Sequence, residues 1–263
     1  MIRSGRVQAL TWFLLLLVSL PTLIVVISSF GSGDRPEFPM QGLSLKGYQD
    51  LLSDEAIRES LARSLIVGVY CVAIALPTGL AAALALYRYR IKYAAGLSTF
   101  LLLGFSSPLV VSGMAMLVLY YRIGQIGNLF MLALAIVTVS FPFMLLAIGS
   151  SINHLNPELE EAAATLGAER VQTFLFVTLP GVMPGVLLGS VLVFVVGITE
   201  FLVSLILTTT ENQTLPVVLF GSLRSELQLR HAAAGGLYIG IAILVVLLIT
   251  QLKALDQFFQ RKV

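Results

Sequence analysis

Asn156-Pro157-Glu158-Leu159-Glu160-Glu161-Ala162-Ala163-Ala164-Thr165-Leu166-Gly167, continued to Val177-Thr178-Leu179-Pro180, is a polar island in an otherwise apolar chain. Asn156 suits an N-cap, and Pro157 suits the first helical position, where a missing N–H costs nothing. Glu158, Glu160 and Glu161 fall in the first turn, where the helix dipole favours negative charge. Gly167 is placed to end the helix in a left-handed conformation. Between these limits Leu159, Ala162, Ala163 and Leu166 share one face at i, i+3, i+4, i+7 spacing. A second short helix is expected over about residues 169–178, with Val171, Phe174 and Leu175 on one side, before Pro180 leads into the next apolar run.

The surroundings of the island set the fold class. Of 263 residues, 57% are hydrophobic and 11% charged, against roughly 25% charged in ordinary soluble domains. With a mean hydropathy of +0.95, the chain reads as an integral all-α membrane protein. Six segments can cross about 30 Å of hydrocarbon: 9–30, 61–87, 97–121, 129–149, 182–207 and 232–255. They form one membrane domain over 1–263. In the third, Pro108 after Ser106-Ser107 is expected to bend or break the helix, which neighbouring groups can tolerate in a membrane. Arg3 and Arg6 precede an apolar stretch too long for a signal peptide, so the first span is read as retained.

Lys and Arg near the span ends orient the chain. Arg3 and Arg6, then Arg88, Arg90 and Lys92, then Lys253, Arg261 and Lys262 fall on one side of a six-span protein. That side should be the cytoplasm, holding both termini and the loop 150–181. The other side carries the loops 31–60 and 208–231, each with charges of both signs.

Several chemistries are excluded. The net charge of +2 is too small to imply nucleic acid. A lone Cys71 allows no intrachain disulfide, and no metal site is expected. His154 and His231 stand near span ends as interfacial residues. No phosphate-binding G-x-x-x-x-G-K-[ST] loop occurs, so the chain is not expected to be an enzyme.

From the residues alone, the island is either a hairpin joining two spans or a docking element. The spacing Glu161-Ala162-Ala163, three residues, Gly167, nine residues, Val177, one residue, Leu179-Pro180 resembles the EAA loop of binding-protein-dependent ABC importer permeases, with valine in place of isoleucine. The wider chain is similar to the polyamine (spermidine/putrescine) type, including the Tyr87-Arg88-Tyr89-Arg90 turn and Thr214-Leu215-Pro216. The resemblance implies a coupling helix in which Glu161, Ala162, Ala163 and Gly167 meet a cytoplasmic ATPase. It also implies two ATPase copies that hold ATP and Mg, a second and non-identical permease, an extracytoplasmic solute-binding protein and a lipid bilayer as surroundings. An ATP-independent transporter or channel is the competing reading, and would carry internal repeats and several intramembrane charges.

Glu200 is the acid well inside a span, where a charge costs roughly 2.5–3.5 kcal/mol on insertion scales and so faces a cavity or a partner. It is expected either on the substrate path, beside Thr199, or hydrogen-bonded within the bundle. The resemblance implies two adjacent acids here, and this chain has Thr199-Glu200 instead. Gly185-x-x-x-Gly189 and Gly236-x-x-x-Gly240 mark places where helices can approach closely.

Overall fold

Helix follows helix wherever the apolar runs are long enough. The computed structural model describes residues 4–260 apart from Arg90 and Glu226, with side chains from 7 to 247 except 90, 225 and 226. Arg3, Arg90, Glu226, Arg261 and Lys262, and the side chains of Arg6 and Lys253, lie outside the described residues.

The order is α1 (Ser4–Ser28), α2 (Lys46–Ser53), α3 (Glu55–Ala83), α4 (Ala94–Leu102), α5 (Leu109–Arg122), α6 (Leu129–His154), α7 (Glu158–Thr165), α8 (Arg170–Thr173), α9 (Leu179–Thr199), α10 (Leu202–Leu207), α11 (Leu215–Ser225) and α12 (Leu229–Gln260). A π-wound segment, Leu84–Arg88, extends α3, and another, Phe174–Thr178, joins α8 to α9. Among the described residues, five helices are long and apolar enough to cross a membrane, six if a bent pair counts as one span. The bent pair is the third expected span: Ala94–Phe105 meets Leu109–Arg122 at 98°. Pro108 starts α5 with an extended ψ of 123°. It brings no N–H to continue α4, and the residue before a proline resists helical geometry.

The fifth span departs from expectation at both ends. It begins at Arg170 rather than 182, because the short helix expected over 169–178 runs straight on through its π segment into α9. It also stops at Thr199, and the rest of the expected run to 207 is the separate helix α10. The loops 31–60 and 208–231 are likewise not plain loops. They contain α2, the first residues of α3 and the apolar helix α11.

The chain forms two compact units. The larger comprises residues 60–217 with 248 onward. Its core is the seam between α6 and α9, where Ile136, Met144, Leu145 and Ile148 meet Val182, Val186 and Val193, with Val67, Cys71 and Ala75 of α3 beside them. Gly189 serves this seam: a Cβ there would stand 2.7 Å from the Met144 sulfur. The Gly185–Gly189 pair thus packs helices of one chain.

The smaller unit comprises residues up to 59 with 218–247. Tyr48 of α2 stacks near Phe30 and shares a 2.8 Å hydrogen bond with Ser29. Leu229 donates its N–H to the Asp34 carbonyl at 2.9 Å. Lys46 bonds Asp34 at 2.6 Å, and Arg230 bonds Asp54 at 2.9 Å. The hydrogen bond and charge of Lys46 hold the Asp34 carboxyl below its ordinary range, and Asp34 raises Lys46 in return. A cavity of about 610 Å³ lies among these residues and Asp50. By contrast with Gly189, Gly240 of α12 faces open space.

Candidate functional site

The polar island folds as its sequence asks. The Asn156 side-chain oxygen accepts the Glu158 N–H at 3.1 Å, and Pro157 sits in helical geometry just ahead of α7. At the other end Gly167 takes φ +86°, a conformation that glycine adopts without the Cβ clash of other residues. There the Gly167 N–H bonds the Ala164 carbonyl and the Ala168 N–H bonds the Ala163 carbonyl, both at 3.0 Å. This paired pattern satisfies carbonyls that a helix end would otherwise leave open.

α7 is exposed along most of its length, acids and apolar residues alike, and two leucines stand out at its surface. Leu166 is 89% exposed and Leu159 52%. Glu161, Ala162 and Gly167 are exposed as well, and Ala163 is half-buried. Val171 of α8, at 66%, and Phe176 of the π segment after it, at 78%, are exposed as well. Of the four expected docking residues, three therefore lie open to a partner.

The residue that faces inward is Glu160, which sequence reasoning counted only among the first-turn acids. Its Oε2 accepts from Arg88 Nε at 3.0 Å and also from Arg88 Nη2. Its Oε1 accepts from the Thr178 hydroxyl at 2.6 Å. One carboxylate thus joins the loop to the ends of both π segments. Burial alone would raise the Glu160 carboxyl, but the hydrogen bonds from Arg88 and Thr178 and the Arg88 charge outweigh it and hold it low. Nearby, the Tyr87 ring fills the space beside Gly149 of α6.

Glu200 stands at the break between α9 and α10, with ψ 123°. It is buried, and its carboxylate accepts the Val203 and Ser204 N–H groups, each at 3.0 Å. This is an N-cap in chemistry, with the acid side chain meeting the first free N–H groups of a new helix. It also explains why the fifth span does not run through. Thr199 is exposed, and its hydroxyl bonds the Val195 carbonyl at 2.7 Å. The structure brings these two residues together at the break, while the EAA residues lie on the loop.

A further cavity, about 580 Å³, fills the elbow of the bent third span. Thr78, Ser107, Ser112 and Thr138 bring hydroxyls to walls that include Phe100 and Phe141. Among the described residues no three His, Cys, Asp or Glu side chains gather as a metal site.

Apolar spans in one chain, two of them broken, with a polar capped helix between two spans, are the make-up of a membrane transport component. The chain belongs to the family of binding-protein-dependent transport system inner membrane components, whose model matches residues 75–263. It is 27% identical over 243 residues to the spermidine/putrescine transport system permease protein PotC of Haemophilus influenzae, covering 92% of this chain and 91% of that one. It is 31% identical over 217 residues to the sulfate transport system permease protein CysW of Synechococcus elongatus, covering 77% and 72%. Its fold is similar to that of a solved bacterial ABC transporter involved in the import of the acidic polysaccharide alginate, with a TM-score of 0.64, 17% identity and coverage of 97% and 98%. The protein is thus a multi-pass inner-membrane permease subunit of an ABC importer.

Proposed function

We propose that residues 156–180 are the coupling loop through which ATPase subunits drive this permease. The observation that carries the reading is a pair of exposed leucines, Leu159 in α7 and Leu166 just past its end, beside exposed acids on a helix capped at both ends. An exposed apolar surface rimmed by polar residues marks a protein contact. Glu161, Ala162, Ala163 and Gly167 form the docking surface, where small side chains allow close approach and the carboxylate pairs with a basic group opposite.

Two copies of the ATPase would hold ATP and Mg, and a second, non-identical permease would complete the path. In this reading both structural units belong to one permease domain and both termini face the cytoplasm. An extracytoplasmic binding protein delivers the solute to the side that carries α2 and α11.

The solute is proposed to be a small cation of the polyamine class, following the PotC likeness, with a sulfate permease among the relatives as the competing direction. Glu200 and Thr199 lie on the substrate path in this reading. Each Glu200 oxygen accepts one N–H and keeps lone pairs for a further donor, and its negative charge suits an ammonium group. Uptake of labelled spermidine and labelled sulfate into vesicles holding the complete transporter tests the proposal. ATP-dependent spermidine uptake supports it, and sulfate uptake alone overturns the choice of solute.

A further inference from the structure

We infer that Glu160 is the positioning residue that carries movement of the coupling loop into two membrane spans at once; this rests on the docking reading above. The carboxylate belongs to α7, the element that would follow an ATPase. Oε2 is held by Arg88 at the end of the second span, and Oε1 by Thr178 at the end of the π segment within the fifth. The side chains are mostly buried, at 19% exposed for Glu160 and 22% for Arg88, and Thr178 is buried. Water therefore competes little for either bond.

Both partners end π-wound segments, Leu84–Arg88 and Phe174–Thr178. Such segments are rare and concentrate at functional sites, because an extra residue per turn lets a helix shift its register. A charge-assisted bond is the strongest short linkage available to polar side chains. Displacement of α7 would draw both π segments with it. In contrast, Glu161, one residue on, is exposed and free to meet the partner. Adjacent acids thus divide two tasks, one outward and one inward.

The test uses the complete transporter in nanodiscs and proteoliposomes, with wild type, Glu160→Gln, Thr178→Val and the double exchange Arg88→Glu with Glu160→Arg. ATPase retention, hydrolysis rate and solute uptake are measured on each. Glu160→Gln should keep the ATPase bound and still hydrolysing, while uptake per ATP falls about tenfold, the scale of one lost charge-assisted hydrogen bond. Thr178→Val should show a smaller loss in the same direction, and the exchange should recover part of it. Unchanged uptake per ATP in Glu160→Gln overturns the linkage, as does loss of the ATPase from that variant, which would make Glu160 a shaper of the dock. If the wild-type chain retains no ATPase, the docking reading fails first and the linkage with it.

Discussion

Gly197 of the fifth span lies so close to Gly68 of the second that a Cβ on Gly197 would stand 2.9 Å from the Gly68 Cα. In a bilayer, where lipid tails compete on equal terms with Leu, close backbone approach supplies much of helix association. Here the glycines seat Cys71 and Ile198 in the core. Gly197→Val should destabilise the chain by about 1–3 kcal/mol through overpacking, read as a lower unfolding temperature in nanodiscs. Gly96→Val, at a position whose Cβ meets nothing within 4 Å, is the matched control and should not lower it.

Glu200→Ala should cost about 1–2 kcal/mol, the scale of a lost N-cap, because the Val203 and Ser204 N–H groups lose their acceptor away from water. Glu200→Gln keeps one acceptor oxygen and should unfold at an intermediate temperature. If Glu200 also meets a cationic solute, Glu200→Gln lowers uptake more than its stability loss accounts for. Equal unfolding temperatures for all three proteins would refute the capping role.

Gly167→Ala puts a Cβ on a residue at φ +86° and should weaken the end of α7 by about 1 kcal/mol. Hydrogen exchange at the amides of 162–168 should quicken by about fivefold, the factor that 1 kcal/mol represents. Exchange elsewhere in the larger unit should be unaltered.

The Glu160 linkage also sets a pH dependence. Its carboxyl is held below the ordinary range in the folded chain. The stabilisation is therefore complete above the unfolded value, near 4.3, and is lost as pH falls through the lower folded value. Protease cleavage within 156–180 should be slow in wild type at pH 7 and faster in Glu160→Gln. The two should converge only as pH drops below about 4.

The spans were legible because 20-residue apolar runs admit few other structures, and the bend at Pro108 because a missing N–H is written into the residue itself. The break at Glu200 was not legible. Its partners are the N–H groups of Val203 and Ser204, which every residue but proline carries, so nothing in composition marks them. Glu160 was hidden for another reason: its partner Arg88 lies 72 residues away in the chain and read as an orientation signal. The helices α2 and α11 do not stand out in the sequence, because each is too short to span a membrane. The caps of α7, by contrast, involve residues within a dozen positions of one another, and Asn156, Pro157 and Gly167 mark them in the sequence.

Docking of an ATPase on α7 and its closing leucine is open to direct test. The most direct measurement is co-purification of the ATPase with the full-length permease complex, comparing wild type with Leu166→Asp at an 89% exposed position. Wild type should retain the ATPase stoichiometrically, and Leu166→Asp, with unaltered unfolding temperature, should lose most of it along with ATP-driven uptake. Retention of the ATPase and of uptake by Leu166→Asp would contradict docking there.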